Sequence, residues 1–150
     1  AASAFASKQI DAWAIFDPYY TIALQQGGRI LRDGRGINTA LGFITANDAA
    51  LADSAKRAAI VQYLDRLARA GAWALANREA YAQVYAQLTR LPIEAARTIT
   101  ARAAVASRPV TQADITALQT VADRSARDGI LPARVDVAAI TDAQVWRGAA

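Results

Sequence analysis

All strand-like stretches of this chain lie in its first 46 residues, and from Asn47 the apolar residues recur at helical spacing. The first stretch, Ile10-Asp11-Ala12-Trp13-Ala14-Ile15-Phe16, carries a single charge near its start. Such a run reads as a strand covered on both faces, as in a parallel sheet flanked by helices. Arg29-Ile30-Leu31-Arg32 and Leu41-Gly42-Phe43-Ile44-Thr45-Ala46 read as two further strands. Two or three strands do not make a covered parallel sheet by themselves. The expected fold class is therefore α/β: a few strands at the N-terminal end, then a helical tail, as in the C-terminal half of a larger protein.

Local signals place the helices. Residues 2–9 read as the last turns of one, with Phe5 as its large apolar side chain. Asp17-Pro18 is a helix start, because Asp caps free N–H groups and Pro at the first position loses none that is needed. Gly27-Gly28 ends that helix, since glycine accepts the left-handed geometry of a helix C-terminus. Further on, Ala59, Ile60, Tyr63, Leu64 and Leu67 form one apolar stripe, and Gly71 reads as an interruption before Trp73. Asn77 and Pro92 open two more helices. Thr111-Gln112-Ala113-Asp114 resembles a capping box with Asp in place of Glu, and Gly129 closes the helix it starts.

Composition removes whole classes of chemistry. The 150 residues contain no His and no Cys, which excludes imidazole bases, thiol nucleophiles, thiolate metal sites and disulfides. The acids are two Glu and eleven Asp without a cluster, so no metal site and no cofactor are expected. No apolar run has the length of a membrane span. The opening Ala1-Ala2-Ser3-Ala4-Phe5-Ala6-Ser7-Lys8 lacks the basic start and apolar core of a signal peptide, so any export signal is expected to be absent from this sequence. The net charge of +4 comes from arginines spread along the chain. Aromatic residues do not alternate with them, so no nucleic-acid partner is expected. Arg29, Arg32 and Arg35 read as surface, and Trp73, Tyr81 and Tyr85 as packing residues.

The segment with chemical interest is Asp17-Pro18-Tyr19-Tyr20, where the expected strand meets a helix N-terminus. Open α/β sheets bind ligands at that place, and free N–H groups with the helix dipole favour an anion. Asp17 has two readings: a cap, with the anion held elsewhere, or a contact for the cationic end of a zwitterion. Trp13 and Phe16 have opposite parity on one strand and face opposite ways. Phe16, at the strand's end, is the better cleft residue, and Trp13 the more core-like one. Tyr19 and Tyr20 diverge by about 100° on a helix, so one reaches the cleft and the other packs.

Residues 10–20, from Ile10 through Asp17-Pro18-Tyr19-Tyr20, resemble a segment of the aliphatic-sulfonate-binding proteins of bacterial ABC importers, within the sulfonate, taurine and nitrate group. Phe16 stands where that family often has Trp. The order that follows is similar too: a helix ending in a Gly pair, a short strand, a loop, another strand, and a long helical tail.

The resemblance implies the C-terminal half of a two-lobed, type II periplasmic-binding-protein fold. Residues 1–36 would belong to the second lobe, 37–41 to a hinge crossing, and 42–150 to the C-terminal part of the first lobe. It implies a periplasmic solute-binding component that holds a sulfonate-like organic anion in an interlobe cleft and delivers it to a membrane permease. The ligand contacts it implies are Phe16, Asp17, Tyr19 and Trp13, with no catalytic residue. The anion is expected to be held by N–H groups and hydroxyls.

Two other readings compete. One is an enzyme of the same fold acting on a thiamine-precursor or pyrimidine-type substrate. The other is a ligand-sensing regulatory domain. In each case a separate N-terminal half of the same protein is the expected packing partner, with Trp13 and Ile15 exposed when the chain stands alone.

Overall fold

The computed structural model describes residues 1–38 and 40–148. It is 54% helical, and among the described residues there is no strand. The helices are α1 (Ala2–Ala6), α2 (Tyr19–Gln25), α3 (Asp48–Ala52), α4 (Ser54–Ala76), α5 (Arg78–Thr89), α6 (Ile93–Ala103) and α7 (Gln112–Arg127). This corrects the α/β expectation, and with it the type II periplasmic-binding-protein half drawn from the resemblance. Residues 10–16, 29–32 and 41–46 are irregular or bent and join no ladder. An apolar run supplies only the propensity for a strand; the strand itself exists through hydrogen bonds to a partner. Ile30, Leu31, Phe43 and Ile44 are instead exposed. Trp13 and Ile15 are half-buried. Thr39, inside the expected crossing at 37–41, lies outside the described residues.

Most helices obey their local signals, but Asn77 precedes α5 without a side-chain cap bond, its amide donating instead to the Trp73 carbonyl at 2.9 Å. Asn47 caps α3 by accepting from the Ala50 N–H at 2.8 Å. Pro92 precedes α6, and Gly129, at φ 73°, follows α7. Gly71 does not interrupt α4, which runs unbroken past it. A mid-helix glycine costs only about 1 kcal/mol, and Gly71 lies on the stripe that buries Leu64 and Ala74. No helix among the described residues is long and apolar enough to cross a membrane.

The chain divides into two compact units. Unit 1 comprises Ala1–Asp33 and Gly71–Ala106; unit 2 comprises Gly34–Ala70 and Ser107–Ala150. In unit 1, α6 packs on α5 and on α2. The contact surface is built of small residues, with Ala82, Ala95, Ala96 and Ile99 buried. Arg97 of α6 grips Glu79 of α5 with two bonds, Nη2–Oε1 at 2.7 Å and Nε–Oε2 at 2.9 Å. It also holds Glu94, so both glutamates of the chain converge on one guanidinium. That guanidinium keeps the Glu79 carboxyl below its ordinary range.

Unit 2 centres on Leu64, Val137 and Trp146. Gln119 of α7 fixes the irregular segment beyond it, donating to the Val135 carbonyl and accepting from the Val137 N–H, both at 2.9 Å. The capping box at the start of α7 forms as its spacing predicts. The Thr111 hydroxyl accepts from the Asp114 N–H, and the Asp114 carboxylate accepts from the Thr111 N–H at 2.8 Å. Arg108 adds a two-point grip on the same carboxylate, at 2.6 and 2.7 Å.

Arg108 first, and then the Thr111 hydroxyl and N–H, hold the Asp114 carboxyl far below its usual 3.8. A carboxyl lowered in the folded state contributes stability that is present above its unfolded pKa and is lost as the pH falls. Wild type is therefore expected to lose stability progressively below about pH 3.8 through this group. The Asp114→Asn variant, compared by urea titration from pH 6 downward, starts less stable and converges on wild type as the pH falls. A gap between the two that stays constant with pH counts against this role.

Candidate functional site

The segment singled out in the sequence lies in unit 1, between α1 and the body of α2. Without a strand, parity no longer decides which side chains meet. Trp13 lies between two other rings, 6.0 Å from Phe5 of α1 and 5.9 Å from Tyr19 of α2, each tilted at about 45°. Such centroid distances lie in the favourable range for tilted aromatic pairs. These three rings, with Ile22 and Ala23, line an open cavity of about 240 Å³ whose polar rim includes Ser3 and Gln26. Phe16 lines neither this cavity nor its neighbour and is 80% exposed. Tyr19 is 51% exposed while lining the cavity, so its ring is open to solvent on one side.

A second cavity, of about 320 Å³, shares Phe5, Ala6 and Gln26 with the first. Its other lining residues include Lys8, Ile10, Asp11 and the glycine pair that ends α2. Gly27 takes φ 87° there, and the Gly28 N–H reaches back to the Ala23 carbonyl at 2.8 Å. A Cβ on Gly28 would come within 2.7 Å of that carbonyl oxygen, so the tight end of α2 requires glycine at this position.

Asp17 is held from several sides. Its Oδ1 accepts from the Thr21 N–H at 3.1 Å and from the Thr21 hydroxyl at 2.6 Å. Arg102 of α6, 85 residues away, donates to both carboxylate oxygens, with Nε at 3.1 Å and Nη2 at 2.9 and 3.0 Å. The same guanidinium donates to the Thr21 hydroxyl and lies over the Tyr20 ring, 4.9 Å from its centroid. A carboxylate has about four lone-pair sites, and these contacts engage them. Asp17 therefore acts as a cap and as the anchor of α2 to α6.

The helix start is occupied as well. The N–H groups of Tyr20, Thr21 and Ile22 go to Phe16, Asp17 and Pro18. An anion held by the N–H groups of this start, as the sequence reading expects, meets donors already engaged within the chain. The Asp17–Pro18 peptide is cis.

The sequence reading missed two participants. Phe5 is read there only as a packing residue of α1, and it lines both cavities. Arg102 had no signal, because nothing local marks a pairing across that distance. Arg29, Arg32 and Arg35 are exposed.

No known family profile and no solved structure matches the chain significantly. The chain is 35% identical over 141 residues to a protein of Escherichia coli (strain K12) that carries the provisional name aliphatic sulfonates-binding protein. The match covers 91% of this chain and 43% of that protein, in its C-terminal part. The resemblance seen in residues 10–20 is thus borne out along most of the sequence. The chain spans less than half the length of this relative.

Proposed function

We propose that this chain is part of a solute-binding protein that holds a sulfonate-like organic anion and presents it to the membrane permease of an ABC importer, outside the cytoplasmic membrane. The likeness to the E. coli protein carries this reading. The aromatic cavity of unit 1 supports it: Phe5, Trp13 and Tyr19 offer an apolar wall suited to the carbon part of an organic acid. The engagement of Asp17 by Arg102 fits an anionic ligand, because this carboxylate, two residues before Tyr19, carries its own counter-ion. Trp13 and Tyr19 are the proposed ligand contacts and Asp17 the residue that fixes α2. The length of the relative that this chain does not span is proposed to supply further contacts.

The test is calorimetric titration with hexanesulfonate and with hexanol, accompanied by an assay for released sulfite. Saturable binding of the sulfonate, little binding of the alcohol and no sulfite are expected. Trp13→Ala is expected to weaken binding by about 1–3 kcal/mol, the scale for removing one large apolar contact. Equal binding of alcohol and sulfonate, or release of sulfite, would overturn the reading.

A further inference from the structure

We propose that Lys8 is the head-group residue of the two adjoining cavities in unit 1, whose ligand is an organic sulfonate with an apolar body of about six carbons. The two cavities share Phe5, Ala6 and Gln26 as lining residues, and the proposed ligand spans them, with its apolar body on the aromatic side and its acid group at Lys8. The aromatic cavity has no charged lining residue, whereas the second contains Lys8. A dry cavity of about 150 Å³ is enough to hold benzene, so the aromatic cavity has room for a ring or a six-carbon chain. The lysine end gives the acid group its counter-charge.

The backbone at Lys8 is the second observation. Lys8 takes φ 58°, in the left-handed region, directly after the C-cap of α1. Its N–H reaches the Phe5 carbonyl at 3.1 Å, and the Gln9 N–H reaches the Ala4 carbonyl at 2.8 Å. This is the hydrogen-bonded helix end at which glycine is preferred. The chain uses glycine for the corresponding position after α2, Gly27. A side chain at φ > 0 is disfavoured, and such disfavoured conformations gather where a side chain serves a ligand. Among the described residues, the other non-glycine residues with positive φ, Ala40 and Arg90, line neither cavity. Lys8 is exposed and makes no ion pair with any described residue. Asp11 lines the same cavity, and its carboxylate opposes an anion there.

The inference rests on the sulfonate-binding reading and is tested separately from it. Wild type, Lys8→Gly, Lys8→Arg and Asp11→Asn are titrated with hexanesulfonate, ethanesulfonate and hexanol, and melted without ligand. Lys8→Gly is expected to weaken hexanesulfonate about tenfold or more, the scale of one charge-assisted hydrogen bond. It should also raise the melting temperature by relieving the left-handed backbone. A purely structural residue would not move affinity and stability in opposite directions. Lys8→Arg should retain most of the affinity, Asp11→Asn should increase it, and ethanesulfonate should bind more weakly than hexanesulfonate. If wild type binds hexanesulfonate and Lys8→Gly binds it equally well, the head-group assignment is overturned while the transport reading stands. If wild type does not distinguish hexanesulfonate from hexanol, the transport reading itself falls.

Discussion

Replacing Trp146 by alanine is expected to destabilise unit 2 by about 3–5 kcal/mol, the range for removing a large buried aromatic side chain. Trp146 is 7% exposed, and its indole N–H donates to Asp65 of α4 at 2.7 Å. The substitution removes the packing of the ring and also a donor from the carboxylate. A neighbouring ion pair, Arg57–Asp142 at 2.8 Å, joins the same two segments but is partly solvated and does not substitute for the ring. Trp146→Phe separates the two terms: it keeps most of the packing and loses the hydrogen bond, for an expected cost of about 1–3 kcal/mol. Urea titrations followed by the tryptophan signal and by circular dichroism provide the measurement. With slopes of about 1–3 kcal/mol per molar, the alanine variant's midpoint falls by about 1 M or more. If Trp146→Ala costs no more than Trp146→Phe, the hydrogen bond and not the ring is what matters.

Ile99→Ala is expected to cost about 2–5 kcal/mol, and Ile99→Val about 0.5–1.5 kcal/mol. Ile99 is 1% exposed and lies on the face of α6 among Ala95, Ala96 and Thr100. Alanine neighbours cannot extend to fill the space left behind, so the cavity term applies nearly in full. The consequence reaches the candidate site. Arg102 stands three residues beyond Ile99 on α6 and anchors Asp17, and with it the start of α2. Loss of ligand affinity is therefore expected in Ile99→Ala at temperatures where its melting has begun, and little loss in Ile99→Val. Wild-type stability in Ile99→Ala would show that α6 carries little of the packing of unit 1.

Sequence alone determined the parts of this protein that depend on near neighbours. The capping box at Thr111 and Asp114, the Asn47 cap, the helix opened by Pro92 and the glycine ends at Gly27 and Gly129 are set by contacts within a few residues. Their geometry repeats wherever the pattern occurs. The resemblance around Asp17-Pro18-Tyr19-Tyr20 was legible for the same reason, being a contiguous string.

What the tertiary structure alone decided is everything that needs a distant partner. Residues 10–16 have the composition of a buried strand, but a strand is a relation between two segments and none of the described residues pairs with this one. Without that pairing, the alternation that set Trp13 against Phe16 has no force. Trp13 instead packs between Phe5 and Tyr19, while Phe16 faces solvent. Gly71 stays helical because its place on the buried stripe of α4 outweighs its weak propensity. The Asp17–Arg102 and Asp65–Trp146 contacts join residues 85 and 81 positions apart, and no local pattern in a single sequence encodes such a meeting. Folding brings Trp146 and Asp65 together because burying the indole N–H without an acceptor is costly, and that constraint acts in three dimensions.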